Sequence, residues 1–333
     1  MITATSPSAQ PADWRRAWRD AVTDGRELLD LVGLAHLADR LPDDDAGFAL
    51  RVPRAFVARM RHGDPADPLL LQVLPQLAET DVVPGFVLDA VGDMDARGAH
   101  GVLHKYHGRA LLIASGACAV NCRYCFRRHF PYGEEIAAAA NWRQALAYMR
   151  GHADVGELIL SGGDPLSLST AKLVELSDGM ADIPHLRRLR IHSRLPVVLP
   201  ERVDDALCGW LASLPQQKVL VIHANHANEL DQSVADACMR LRAAGVMLFN
   251  QSVLLRGVND NADALVALSE RLFACEVVPY YLHQLDRVQG AAHFEVDDAR
   301  ACELEAEVRA RLPGYLVPRL VREVAGDTGK RPL

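Results

Sequence analysis

Lysine is scarce in this chain. Of 36 basic side chains, only Lys105, Lys172, Lys218 and Lys330 carry a primary amine, so chemistry that needs an amine has few addresses. An excess of positive charge is also missing. A net charge of −7 argues against an extended nucleic-acid surface, which is normally basic. No apolar run approaches the roughly 20 residues that span a bilayer. The opening Met1-Ile-Thr-Ala-Thr-Ser-Pro lacks a basic segment followed by an apolar one, so no export signal is expected. These absences point to a cytoplasmic, reducing location, with neither nucleic acid nor membrane as a partner. There, clustered cysteines signal metal binding or catalysis more often than disulfides. What remains is an ordinary globular composition, 50% hydrophobic and 24% charged, over 333 residues. That length allows one barrel-sized domain plus an appendage.

Three of the seven cysteines crowd into Cys118-Ala-Val-Asn-Cys122-Arg-Tyr-Cys125-Phe-Arg127-Arg128, just after the apolar run Ala110-Leu-Leu-Ile-Ala114. Thiolates this close repel one another and are seldom left without a ligand. Three cysteines can hold a [4Fe-4S] cluster and leave one iron open to a substrate or cosubstrate. With His129, the same loop offers zinc three sulfurs and a nitrogen, the tetrahedral alternative. Three core thiols fit poorly, because Asn121, Arg123, Arg127, Arg128 and His129 make the loop strongly polar. Cys208, Cys238, Cys275 and Cys302 are scattered through helix-like or strand-edge segments and read as small buried hydrophobes.

Residues 1–10 read as a loose end. Asp13 is placed to cap a helix over Trp14–Val22, and Asp24-Gly-Arg-Glu27 resembles a capping box opening a second. Prolines at 42, 53, 65, 68, 75 and 84 break residues 41–100 into short helices and irregular connections. Asp43-Asp-Asp45 reads as a solvated turn. From about 109 the pattern changes. Apolar runs at 109–115, 156–160, 187–192, 218–223, 246–250 and 276–281 alternate with amphipathic segments. Those segments lie near 141–151, 169–181, 202–213, 229–244, 261–274 and 297–311. The alternation predicts parallel strands joined by crossover helices. Six consecutive units suit an open, incomplete barrel, and Tyr315–Val321 predicts an edge strand beyond it. The expected class is α/β: an N-terminal helical region over 1–100, a partial (β/α)6 barrel of TIM type over 101–314, and a tail over 315–333.

Polar residues gather after the predicted strand ends, where barrel enzymes place their chemistry. Besides the cysteine loop there are Ser161-Gly162-Gly163-Asp164, Ser193-Arg194, His223-Ala-Asn225-His226, Asn250-Gln251-Ser252 and Tyr280-Tyr281-Leu-His283-Gln284-Leu-Asp286. The glycine pair opens the backbone to close approach by a ligand, and Asp164 offers a carboxylate to an ammonium group. Alone, such a segment is usually a turn. Arg194 can grip a carboxylate with its planar fork, or form a structural ion pair. His223 and Asn225 suit either a ligand or the core. In the tail, Gly326 and Gly329 frame a flexible loop before Lys330. Lys172 falls on an expected exposed helix, Lys218 at a strand's start on the wrong face, and Lys105 ahead of the first barrel strand. A lysine so near the end of a chain is normally a solvated charge, but if pyridoxal 5′-phosphate (PLP) is present Lys330 is the best-placed amine for its Schiff base.

The cysteine loop followed by Leu160-Ser-Gly-Gly-Asp164 resembles the radical S-adenosylmethionine (SAM) enzymes. With His104-Lys-Tyr106-His-Gly-Arg109, Ile191–Pro200, Asn250–Asn259, Pro279–Asp286 and the terminal Gly-Lys330, the chain resembles the lysine 2,3-aminomutases over essentially its whole length. The Trp14–Leu34 opening and the end just past Lys330 are most similar to the short bacterial branch that makes β-lysine for modifying elongation factor P. Longer, degradative members continue into an extension that helps them oligomerise. Their oligomeric state is not expected to carry over, and a homo-oligomer stays open.

The resemblance implies a partial barrel of the radical SAM class and three cofactors: a [4Fe-4S] cluster on Cys118, Cys122 and Cys125, SAM, and PLP. SAM would be contacted by Ser161, Gly162, Gly163, Asp164, Ser193, Arg194, His223 and Asn225. Lys330 would hold PLP as its Schiff base, with Tyr106, Arg109, Asn250 and Gln251 around the cofactor and Arg109 suited to its phosphate. Arg127 would grip the carboxylate of L-lysine, and Asp286 with Glu323 its distant ammonium. A reductant protein would supply the electron, and the product would pass to the ligase that modifies elongation factor P. Degradative members have aspartate where this chain has Glu323. This departure bears on substrate posture and on the hand of the product, expected to be (R)-β-lysine. Rival readings are an aminomutase of another amino acid, such as glutamate, and a non-catalytic Fe–S- or zinc-binding partner of the modification system.

Overall fold

The computed structural model describes residues 13–43, 47–140 and 142–333. The expected loose end at 1–10, and Asp44 and Asp45 of the aspartate turn, lie outside them. Asp13 caps α1 (Trp14–Arg19) and Asp24 caps α2 (Gly25–Leu31), each side chain accepting a backbone N–H of the first turn. The first helix stops at Arg19 rather than Val22, because Val22 leaves it to bridge Val52 as extended chain. Prolines keep the next elements short: α3 (Arg54–Val57), α4 (Pro68–Leu71) and single 3-10 turns. None of these pieces could stand alone. They are held because Trp14, Leu28 and Phe56 belong to the same buried core as Leu112, Leu160 and Leu220 of the sheet. Each such burial contributes about 1.5–3 kcal/mol.

One ten-stranded sheet runs in sequence order. It begins with an antiparallel meander, β1 (Arg97–Ala99), β2 (Val102–Tyr106) and β3 (Arg109–Ser115). Then come β4 (Glu157–Gly162), β5 (Arg188–Ser193), β6 (Gln217–Ile222), β7 (Val246–Val253) and β8 (Val278–His283), each parallel to its neighbour. Between them lie α5 (Arg143–Gly151), α6 (Thr170–Met180), the short α7 (Leu195–Val198), α8 (Asp205–Ser213), α9 (Gln232–Ala243) and α10 (Ala262–Ala274), and α11 (Asp298–Arg311) follows β8. Ser169, Asp204, Asp231, Asn261 and Asp297 cap α6, α8, α9, α10 and α11 through first-turn N–H groups, the signal that ends each strand-to-helix loop. The result is the expected partial (β/α)6 barrel.

Two expectations need correction. Tyr315–Val321 does not form one edge strand. Gly314–Leu316 is a 3-10 turn, and pairing starts only at Arg319, past Pro318, which has no N–H to donate. The strand β9 (Arg319–Arg322) runs parallel to β8 and is itself covered by β10 (Arg331–Pro332), which turns back along it. That hairpin brings Lys330 to the barrel. Cys238 and Cys275 are buried as expected, but Cys302 is exposed on α11 and Cys208 is only half-buried. Among the described residues, no helix is long and apolar enough to cross a membrane.

Candidate active site

The cysteine loop follows β3 at the end of the sheet where the other polar clusters also emerge. It is tied down from outside by the N-terminal region. Asn121 N–H donates to the Arg51 carbonyl and Arg123 N–H to the Gln72 carbonyl, both at 2.9 Å. The Arg123 and Arg128 guanidiniums converge on one buried carboxylate, Glu79, at 2.6 and 2.9 Å. The polar residues that make the loop a poor home for core thiols are thus its tethers. Burial and neighbouring thiols raise Cys118, and push Cys125 up to about 11. A metal cation supplies the positive charge that reverses this, so the three thiols fit a cluster. His129 is exposed and its ring meets the Gln289 carbonyl at 3.1 Å. Among the described residues no three ligand side chains converge as a single ion requires. Cluster thiolates bind separate irons and need not meet at a point.

Arg194 is buried beside this loop. Its guanidinium lies 2.7 Å from the Cys122 sulfur, 2.7 Å from the Tyr124 hydroxyl, 2.6 Å from the Gln72 amide oxygen and 2.9 Å from Glu229. The ion pair of the alternative reading is therefore present, with Glu229 held below the usual carboxylate range: burial opposes this, and Arg194 outweighs it. Asn225 is wholly engaged in the same network. It donates to Gln72 and Tyr124 at 2.9 and 2.7 Å, and accepts from Val253 N–H. His223 stacks on Tyr124 with its Nε2 at 2.8 Å from the hydroxyl, and burial pushes it down to about 3, so it is neutral.

The glycine pair makes its close approach to the chain itself. Gly162 has φ +115°, and a Cβ there would stand 2.6 Å from the Ser115 carbonyl. At Gly163 a Cβ would stand 2.7 Å from the Ala117 carbonyl. These contacts seat the end of β4 against the three residues that lead into Cys118. Asp164 accepts from Ser193 Oγ at 2.7 Å and from the N–H groups of Leu166, Arg194 and Leu195. Burial raises it to about 6 despite these donors. Ser161 accepts from Arg127 at 3.0 Å.

Across the barrel mouth the charges form a row. Arg127 Nε lies 2.6 Å from Asp93, Asp93 lies 2.7 Å from Lys105 Nζ, Lys105 lies 3.2 Å from Glu323, and Glu323 lies 2.7 Å from Lys330 Nζ. Burial works against Glu323, yet the two ammoniums hold it down at about 2. Asp286 goes the other way. Burial, and then repulsion from Glu323, lift it to about 7. Lys330 also lies 5.7 Å from the centroid of the Tyr281 ring. His192, half-buried, and His283, buried, are in electrostatic contact with Lys330 and neutral, and their Nε2 atoms have no partner among the described residues. An amine beside an aromatic face and orphaned ring nitrogens fits a planar, polar cofactor. Arg109 stacks on Tyr106, 4.4 Å from its ring centroid. The His223 ring bonds the Gln251 backbone. Asn250 is committed to both backbone groups of Ala224 and to Ser252.

Lys105 corrects the sequence reading. It is not merely ahead of the barrel but within β2, and it enters the site. Asp93, Gln72 and Glu229 have no place in the sequence reading of the site, while Tyr124, His192 and His283 enter it only as parts of the cysteine loop, the Ile191–Pro200 segment and the last strand-end cluster. Gln72 and Asp93 lie in proline-broken chain with no periodic signal, whereas the scarcity of lysine could have flagged Lys105.

No family model matches this sequence. The chain is 49% identical to L-lysine 2,3-aminomutase of Escherichia coli (strain K12), covering 100% of this chain and 97% of that protein. It belongs to the L-lysine 2,3-aminomutase family. That family is one of isomerases. The member from Haemophilus influenzae is 44% identical over 96% of this chain and 94% of its own length. The Clostridium subterminale member is 31% identical, with 96% of this chain matching 77% of that protein. Among solved structures, a radical SAM methyltransferase from Sphaerobacter thermophilus aligns with a TM-score of 0.48 at 19% identity, over 66% of this chain and 68% of that one.

Proposed function

We propose that this protein converts L-lysine to β-lysine, in the R form, by moving the amino group from C2 to C3, using a [4Fe-4S] cluster, SAM and PLP. The observation that carries the reading is the charge row from the cysteine loop's Arg127 to Lys330, with Asp286 beside its far end. Such a site offers a guanidinium to a carboxylate at one end and carboxylates to an ammonium at the other. L-Lysine carries both groups. Glutamate would place a second carboxylate against Asp286 and Glu323, at a Coulomb cost of about 4 kcal/mol at 4 Å and effective dielectric 20. Membership of the family supports the same substrate.

Cys118, Cys122 and Cys125 would hold the cluster, with SAM bound near Ser161–Asp164, Ser193, Arg194, His223 and Asn225. Bound there, cluster and SAM supply a carbon radical able to abstract hydrogen, and PLP supplies a π-system that stabilises the radical during migration. Lys330 would hold PLP, with Arg109, Tyr106, Asn250 and Gln251 around it. Arg127 would orient the substrate carboxylate, and Asp286 and Glu323 its distal ammonium. The enclosing N-terminal region would exclude water from the site. The protein would act in the cytoplasm, receive its electron from a reductant protein, and supply β-lysine to the ligase that modifies elongation factor P.

The test is anaerobic reconstitution with iron, sulfide, PLP, SAM and a reductant, followed by chromatography of products from L-lysine and from L-glutamate. β-Lysine is expected from the wild type and from neither Lys330→Ala nor Cys122→Ala. Full β-lysine formation by either variant, or a preference for glutamate, overturns the reading.

A further inference from the structure

Lys105 and Lys330 share Glu323 but are held very differently. An ammonium has three N–H donors. Lys105 donates to the Val91 carbonyl at 2.7 Å and to Glu323 at 3.2 Å, and its ammonium pairs electrostatically with Asp93 at 2.7 Å. It is thus held between two carboxylates and a carbonyl. Among the described residues Lys330 has one carboxylate partner, Glu323 at 2.7 Å, and is the amine more readily released. When it is released, Glu323 loses one of its two cationic partners among the described residues and keeps Lys105. Asp93 depends on the same ammonium and passes the restraint to Arg127 at 2.6 Å. Asp93 is itself seated by its N–H donating to Asp89 at 2.9 Å.

We propose that Lys105 is a positioning residue, whose ammonium keeps Glu323 and Asp93 fixed and charged when Lys330 leaves Glu323 for the cofactor. The carboxylates facing a substrate ammonium thus stay in place throughout, and Arg127 keeps its orientation at the opposite end. This rests on the roles proposed for Lys330, Glu323 and Asp286. Asp286 reports on it, because Lys105 is one of the cations that favour its ionised form. The charged and titratable groups facing Asp286 are Glu323 and Arg322 at the end of β9, Lys330 in the tail, Lys105 and Tyr106 on β2, and Asp93 ahead of β1. Burial and the two anions raise it to about 7, while Lys330 and Lys105 restrain it. Removing Lys105 therefore moves its ionisation to higher pH.

The experiment uses the full chain reconstituted anaerobically with its cluster and PLP but without SAM, so that nothing turns over. Binding of L-lysine, and of L-norleucine, which lacks the distal ammonium, is followed by PLP absorbance across about pH 6 to about pH 9. In the wild type, preference for lysine over norleucine is expected to grow as pH rises through about 7. In Lys105→Met that midpoint is expected to move up by about one pH unit, and Lys105→Arg is expected to restore it. If Lys105→Met does not take up PLP, Lys105→Gln, which can still donate to the Val91 carbonyl, is read the same way. A neutral variant with the wild-type midpoint, or an arginine variant that fails to restore it, overturns the proposal. A wild type with no lysine preference at any pH overturns the reading of the site itself, and the proposal with it.

Discussion

Asp286→Asn should stabilise the cofactor-free protein at alkaline pH while weakening its hold on lysine. Asp286 titrates near 7 in the folded chain because burial and Glu323 disfavour its charge. In the unfolded chain it returns to about 3.9. A raised folded value means that the native state holds the proton more tightly. The stability this gives is fully present below about pH 4 and is lost progressively as pH rises to about 7. Three units correspond to about 4 kcal/mol. Asp286 retains some contact with solvent, so water in the open site trims this to about 2–3 kcal/mol. Asparagine keeps the shape and does not titrate. Urea unfolding of both proteins without cofactors, at about pH 5 and about pH 8, should therefore show the variant gaining about 2 kcal/mol on the wild type between the two. Adding L-lysine should stabilise the wild type more than the variant, because ligand that binds only the native state adds RT ln(1 + [L]/Kd). A difference in stability that does not change with pH would refute the argument that the surroundings of Asp286 disfavour its charge.

Three further outcomes test other parts of the site. Glu79→Gln removes the charge facing Arg123 and Arg128; it should cost about 3–5 kcal/mol and lower the iron bound per chain, read by thermal melting and iron analysis. Gly163→Ala sets a Cβ 2.7 Å from the Ala117 carbonyl; displacement of the segment leading to Cys118 should cost about 1–3 kcal/mol and reduce iron content, while PLP uptake at Lys330 persists. Glu323→Asp shortens the carboxylate that reaches both Lys105 and Lys330; it should lower affinity for PLP and shift the hand of the β-lysine product, and chiral chromatography showing an unchanged hand removes Glu323 from the account of stereochemistry.

Much of the architecture was legible from periodicity. Buried parallel strands read as continuous apolar runs, and caps such as Ser169 and Asp231 mark helix starts, because both signals are local. The tail was less legible. Whether Tyr315–Val321 pairs depends on Pro318 and on β10 folding back, neither of which is a matter of hydrophobic pattern. Functional residues divide the same way. Cys118, Cys122 and Cys125 declare themselves by spacing within one loop. Lys330 emerged only by elimination among four lysines. Arg194 and Asn225 were visible as polar residues at strand ends, yet their partners Gln72 and Glu229 were not, since hydrogen-bond partners distant in sequence leave no periodic trace.

By itself, then, the sequence determined the alternation of strand and helix and the thiol triad, and it nominated one amine, Lys330. These depend on residue type and on spacing along the chain. Only the tertiary structure decided that Asp93, Lys105, Glu323 and Lys330, from three separate segments, form one row with Arg127. It also decided that the glycine pair packs on the cysteine loop's own backbone. Both results come from segments brought together by burial of a common core, and the energy of a charge depends on which other charges that burial sets beside it.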